Sequence, residues 1–147
     1  MDHIRIRPFE GGDLDGIVEL EELCFSDPWT REMFADTLAN PLAVYFVAED
    51  DEGLAGYFGM YHIMTEGQIT NIAVHPRKRR CGIATRLFDA ALLYGEENGL
   101  ENFTLEVRYS NEGARALYEK FGFYTVGVRE NYYRAPMENA VLMTKDL

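Results

Sequence analysis

Cations are scarce in this chain: 14 Lys and Arg stand against 25 Asp and Glu, a formal net charge of −11 at pH 7. Such a surface repels nucleic-acid phosphates, and no basic stripe interleaved with aromatics offsets it, so direct binding to DNA or RNA is not expected. Cysteine is limited to Cys24 and Cys81. The second lies in a basic, glycine-containing turn where a disulfide would clamp a loop that has to wrap a ligand, so a reduced, intracellular setting is expected. No apolar leader opens the chain, and the longest apolar run, residues 42–48, is far too short to span a bilayer. We therefore expect a cytoplasmic protein without a membrane partner. His3, His62 and His75 are widely separated and share no metal-ligand spacing with the two cysteines, so no metal is expected. No repeat and no Pro/Ser/Gly-rich stretch marks a linker, and residues 1–147 are expected to form one domain.

What is present is enough apolar material for one core, 47% of residues with 13% aromatic. Ile4, Arg5, Ile6 and Arg7 alternate as a strand does, and the turn at Gly11, Gly12 and Asp13 leads into a helix from about Leu14. Ser26, Asp27 and Pro28 break that helix before a second one over 30–39, which Asn40 and Pro41 stop. Residues 42–48 and 54–63 flank a turn cluster and read as antiparallel strands, and 68–74 supplies another. Ile83, Leu87, Ala91 and Tyr94 then recur at helical spacing up to Gly95 and Gly99. A strand over 103–107, a helix over 111–121 and two closing strands, 124–129 and 140–144, around a long Tyr-rich connection complete the chain. This order predicts an α/β or α+β layered domain with a mixed sheet.

Between the strand ending at Val74 and the helix starting near Ile83 lies a run of four cations, Arg77, Lys78, Arg79 and Arg80, followed by Cys81, Gly82, Ile83 and Ala84. Local charge here inverts the global one. Free N–H groups of a helix's first turn carry partial positive charge, and small residues let backbone approach a ligand closely, so a pyrophosphate fits this turn. An ordinary turn glycine in a solvated basic loop explains the same residues. The spacing is neither a P-loop nor a three-glycine dinucleotide fingerprint, which disfavours nucleoside triphosphates and NAD.

The pattern Arg79-x-x-Gly82-x-Ala84 after Asn71-Ile72-Ala73-Val74 resembles the acetyl-CoA signature of the GNAT superfamily. Leu105-Glu106-Val107-Arg108, then Asn111, then Ala116-Leu117-Tyr118-Glu119-Lys120-Phe121-Gly122-Phe123 are similar to that family's later motifs, in the same order. The resemblance implies a seven-stranded, mostly antiparallel mixed sheet flanked by about four helices, with acetyl-CoA as co-substrate. It also implies that main-chain groups of Ile72, Ala73 and Val74 meet the pantetheine arm. Arg80, Cys81, Gly82, Ile83, Ala84 and Thr85 would form the pyrophosphate cradle, Arg79 before them would also meet the cofactor, and Asn111 and Tyr118 would lie near the thioester. Cys81 lacks a neighbouring His and is read as a filler rather than a nucleophile.

Acyl transfer to an amine needs a base, because an ammonium has no lone pair, and an acid for the departing thiolate. Glu106 interrupts an apolar strand and faces either solvent or a pocket; Tyr118 lies on a helix where an aromatic ring commonly just packs. The resemblance, nearest to RimI-type N-terminal alanine acetyltransferases, implies Glu106 as general base and Tyr118 as the acid that protonates the coenzyme A sulfur. An α-amine, with a reference pKa near ~8 against ~10.4 for lysine, costs roughly 3 kcal/mol less to deprotonate at neutral pH, which favours a protein N-terminus as acceptor. Lysine or a small amine is the alternative, followed by a non-catalytic acyl-CoA-binding module. The same resemblance covers the segment 25–30 with Trp29 and the segment 129–133 with Tyr132 and Tyr133, and implies that these three contact a peptide substrate. It further implies a ribosomal protein with N-terminal alanine as partner, which a negative surface suits. One departure stands out: Asn139, in Glu138-Asn139-Ala140, occupies a position where the family commonly has a second carboxylate, which leaves the substrate preference open at this point.

Overall fold

The runs of period two become seven strands and those of helical period four α-helices, in the order β1 (Arg5–Pro8), α1 (Leu14–Cys24), α2 (Arg31–Ala39), β2 (Ala43–Asp50), β3 (Gly53–Ile63), β4 (Glu66–Val74), α3 (Ile83–Asn98), β5 (Asn102–Arg108), α4 (Glu112–Lys120), β6 (Tyr124–Arg134) and β7 (Met137–Asp146). The computed structural model describes residues 3–79 and 81–147. Arg80, one of the residues assigned above to the pyrophosphate cradle, lies outside them. The strands make one sheet in the order β1-β2-β3-β4-β5-β7-β6. Every pairing is antiparallel except that of β4 with β5. The sheet is therefore mixed and mostly antiparallel, as the motifs imply.

Local chemistry sets the helix ends. The Thr30 hydroxyl accepts from the Met33 N–H at 3.2 Å and starts α2. Asn111 does the same for α4, accepting from the Ala114 N–H at 3.1 Å. Gly99 ends α3 with φ 73°, a conformation in which a side chain would clash with its own backbone. Ile17 and Leu20 of α1 and Phe34 of α2 pack on Tyr45, Val47 and Tyr57 to form a core on one face of the sheet. Leu87, Phe88 and Ala91 of α3 cover Phe58, Met60 and Phe103 on the other, where Tyr118 and Phe123 join them. Phe88 stacks on Phe121 with ring centroids 4.4 Å apart. Among the described residues no helix is long and apolar enough to cross a membrane.

The closing strands differ from expectation. No long Tyr-rich connection exists: β6 and β7 each run several residues further and meet at Ala135 and Pro136. As β6 is an edge strand with most positions exposed, it needs no apolar alternation, and its register with β7 slips twice.

At the opposite edge, the Arg7 guanidinium grips buried Asp13 through two hydrogen bonds of 2.9 and 2.8 Å, and Asp13 also accepts from the Glu10 N–H at 2.8 Å. Arg7 holds the Asp13 carboxyl below its ordinary range. A depressed folded-state pKa contributes stability that is complete above the unfolded value, near ~4, and fades as pH falls through the folded value. Asp13→Asn should therefore cost about 1–2 kcal/mol in urea unfolding at pH 7. That difference should shrink below about pH 4; a deficit equally large at pH 3 would remove the ion pair from the explanation.

Candidate active site

β4 and β5 are joined by only three residue pairs, Glu66 with Asn102, Gly67 with Phe103 and Gln68 with Thr104. Beyond them the strands part, so β4 keeps β3 as its partner up to Val74 while its other edge has no strand beside it. The sheet thus opens as a fork. At its closed end a Cβ on Gly67 would lie 2.7 Å from Phe103 Cδ1, so the phenyl ring occupies the space that a side chain would need. A bulge at the start of the open stretch leaves Thr70 without a partner on β3, since Gly59 pairs with Asn71 and Met60 with Ile69. The Tyr45 ring covers Gly59, where a Cβ would meet it at 2.4 Å, and the Tyr45 and Thr70 hydroxyls are hydrogen-bonded at 2.9 Å.

The chain leaves β4 at the mouth of the fork and enters α3 there. Gly82 adopts φ 77°, and among the described residues no side chain caps the first turn and, its chain neighbours and own helix backbone aside, no atom lies within 4 Å of where its Cβ would be. Amides of a first turn held this way face open space and favour an anion. Ile83 is buried, so that only its main chain is available, whereas Ala84 is half-buried and Cys81 and Thr85 are exposed. Arg79 folds back, its Nε donating to the Val74 carbonyl at 3.2 Å. The Cys24 thiol donates to the same carbonyl at 3.4 Å, and burial pushes its pKa up. Of the β4 residues predicted to offer main chain, Ala73 is buried and Ile72 and Val74 are half-buried, all three along the open stretch.

On the face of the sheet that α1 and α2 cover, a cavity of about 640 Å³ adjoins the fork, with Tyr61, Thr70, Thr104, Glu106, Tyr132 and Tyr133 in its wall. Phe103, Leu105 and Val107 of β5 are buried on the other face, so strand alternation turns Glu106 toward the cavity. The Arg129 Nε lies 3.6 Å from its carboxylate. Tyr132 and Tyr133 meet edge-on at 5.1 Å, with the Arg129 and Arg108 guanidiniums 5.8 and 4.3 Å from their respective ring centroids. The Glu106 charge pushes the Tyr132 phenol up, while for Tyr133 burial comes first and Glu106 second.

Tyr118 approaches from the opposite face. Its ring is buried edge-on to Phe123 at 5.5 Å, and its hydroxyl has no hydrogen-bond partner among the described residues. Burial, helped by the nearby Tyr133 phenol, lifts its pKa well above the usual 10. Glu106 and Tyr118 therefore lie on opposite faces of the sheet, and the pKa of the Tyr133 phenol is raised in part by Glu106, as that of Tyr118 is by Tyr133. Asn111 spends its Oδ1 on capping α4 and keeps its Nδ2 without a partner among the described residues.

Trp29 is half-buried against Phe34 at 5.3 Å and is not in the cavity wall. Its backbone N–H donates at 3.0 Å to Glu21, a residue outside all the motifs above. Glu21 is 2% exposed and also accepts from the Tyr57 hydroxyl at 2.6 Å, tying the loop between α1 and α2 to the sheet. A signal was available: with Ile17, Leu20 and Cys24 it lies on the apolar stripe of α1, where an acidic residue must find buried donors.

The family described as Acetyltransferase (GNAT) family matches residues 14–123. A Bacillus subtilis (strain 168) protein provisionally named ribosomal protein bS18-alanine N-acetyltransferase is 42% identical over 132 residues, 89% of this chain and 87% of that one. The crystal structure of the ribosomal-protein-S18-alanine N-acetyltransferase from Escherichia coli superimposes with a TM-score of 0.89 at 29% identity, covering 97% of this chain and 93% of the other. An Arabidopsis thaliana NAA60 solved in complex with acetyl-CoA shares the fold, with a TM-score of 0.87 at 18% identity over 98% of each chain.

Proposed function

The chain belongs to the GNAT acetyltransferase family, and from that premise we propose that it transfers acetyl from acetyl-CoA to the α-amine of a protein N-terminus, an N-terminal alanine of a ribosomal protein being its acceptor. The observation that carries this reading is the fork with a carboxylate on one face and a buried phenol on the other. The chain's residues fit acetyl-CoA. The edge of β4 along Ile72, Ala73 and Val74 that has no strand beside it suits an extended chain carrying amides, and the turn at Gly82, Ile83, Ala84 and Thr85, uncapped by any described side chain, suits a diphosphate. Arg79 shapes that turn by holding the end of β4, and Asn111 offers a free amide beside Tyr118's helix. Acetyl-CoA supplies an activated thioester.

Glu106 takes a proton from the acceptor ammonium, directly or through a water, which exposes the lone pair that forms the new C–N bond. Tyr118, kept protonated by burial, gives its proton to the sulfur as the C–S bond breaks, and the second proton that the nitrogen sheds on becoming an amide restores the phenol. Tyr132 and Tyr133 line the acceptor's approach, and Trp29 stiffens the neighbouring loop. Residues 1–147 work as one domain, in the cytoplasm, where Cys24 and Cys81 remain free thiols. Two names support the acceptor, those of the Bacillus subtilis relative and the Escherichia coli structure.

Mass spectrometry of acetyl transfer to a peptide panel tests the reading. Peptides with free N-terminal Ala, Ser or Met are compared with N-blocked lysine peptides, and the free alanine peptide should be acetylated fastest. Transfer confined to the blocked lysine peptides would replace the α-amine by a side-chain amine.

A further inference from the structure

Adjacent residues of a regular strand point to opposite faces of a sheet, yet Tyr132 and Tyr133 both line the same cavity. The register explains how. Arg129 pairs with Ala140 and Tyr133 with Glu138, so Glu130, Asn131 and Tyr132 all stand opposite the single residue Asn139. Two surplus residues bulge out of β6, and the chain passes through Asn131 with φ 52°, a left-handed conformation uncommon for any residue but glycine. A bulge of this size loses ladder partners. The Asn131 N–H finds its acceptor in the Asn139 side-chain oxygen at 2.9 Å. The Asn139 main-chain carbonyl accepts from the Tyr109 N–H at 3.0 Å, so the same residue is fixed to the turn after β5. Next to it Glu138 accepts from the Ser110 N–H at 2.7 Å and from Arg108 at 3.3 Å, the guanidinium that lies over Tyr133.

We infer that Asn139 is a positioning residue for the acceptor, its amide oxygen holding the β6 bulge that turns Tyr132 and Tyr133 together into the cavity. This rests on reading the cavity as the acceptor site. Asn139 is not in the cavity wall, and its oxygen is occupied by the Asn131 N–H. A carboxylate at 139 would accept from the same N–H, so the position requires an oxygen carried one atom beyond Cβ, further than a serine hydroxyl reaches, rather than a charge. An asparagine in place of a carboxylate at this position therefore gives, through these contacts, no reason for a different substrate preference.

The test compares Asn139→Ala, Asn139→Ser and Asn139→Asp with the parent protein, reading steady-state kinetics and exchange of the Asn131 amide by NMR. Loss of one hydrogen bond predicts, for the alanine and serine variants, a KM for the acceptor peptide raised about 10-fold and Asn131 exchange faster by about the same factor. The kcat should stay within about 2-fold and the KM for acetyl-CoA should not move. Asn139→Asp should restore parental values. Unchanged acceptor KM in a folded alanine or serine variant, or an aspartate variant as impaired as alanine, overturns the inference. If the parent protein acetylates no acceptor, the functional reading fails separately, and the Asn131 amide decides alone: exchange unaltered by Asn139→Ala or Asn139→Ser overturns the inference, and acceleration that Asn139→Asp reverses upholds it.

Discussion

Glu106→Gln lowers acetyl transfer by about 100-fold or more while acetyl-CoA affinity stays nearly intact. Glutamine keeps the size of the side chain and an oxygen within reach of Arg129, so the cavity wall with Tyr132 and Tyr133 should survive. What it lacks is the ability to take up a proton. Because the deficit is one of deprotonation, it depends on pH in a defined direction. As pH rises past the α-amine's own pKa, near ~8, the acceptor loses its proton to solvent, and the variant should recover toward the parental rate. Single-turnover rates across pH 6 to about 10, with calorimetric titration of acetyl-CoA alone, read both halves of the prediction. A deficit constant across that range points to lost positioning, and unchanged turnover removes Glu106 from the role of base.

Tyr118→Phe is expected to lower kcat by about 10- to 100-fold with little change in either KM. The ring, which packs on Phe123, is retained, and the deleted hydroxyl has no partner among the described residues, so stability should change by less than about 1 kcal/mol. That separation makes the variant informative: a purely packing role for Tyr118 predicts parental kcat. Burial holds the phenol above its ordinary value of 10, so the hydroxyl keeps its proton throughout the neutral range. The parental rate should accordingly show no alkaline fall attributable to Tyr118 below about pH 10. An ionisation near pH 8 that disappears in Tyr118→Phe would contradict the burial argument.

Much of this architecture can be read along the chain because most of its elements announce themselves locally. Ile83, Leu87 and Ala91 repeat at helical spacing and are buried together. Tyr94, fourth in that series, is half-buried, and its hydroxyl is hydrogen-bonded to His62 Nδ1 at 2.7 Å, while His62 Nε2 donates to the Met64 carbonyl at 2.9 Å. The strands of the fork are equally legible, but not the fork itself: where two strands whose paired residues lie as far apart as Glu66 and Asn102 stop pairing is settled by neighbours distant in sequence. Glu106 shows the same boundary. Alternation with Leu105 and Val107 says that it faces away from them, and only the fold says that this side holds a cavity. For Tyr118 the packing reading holds for the ring, while the hydroxyl is left free for another purpose. The β6 extension was invisible because an exposed edge carrying a bulge has no period to detect. Glu21 was passed over because acidic residues on helices are usually solvated.

The missing side chain at Gly67 governs more than its own neighbourhood. Three residue pairs rivet one half of the sheet to the other, and the Phe103 ring lies across that joint in the place of a Cβ. A methyl group on residue 67 would press on that ring and on the Met60 sulfur, both buried, so either the packing on this face or the joint itself would have to give. The two halves of the sheet can thus close on each other at the base of the slot because an atom is not there.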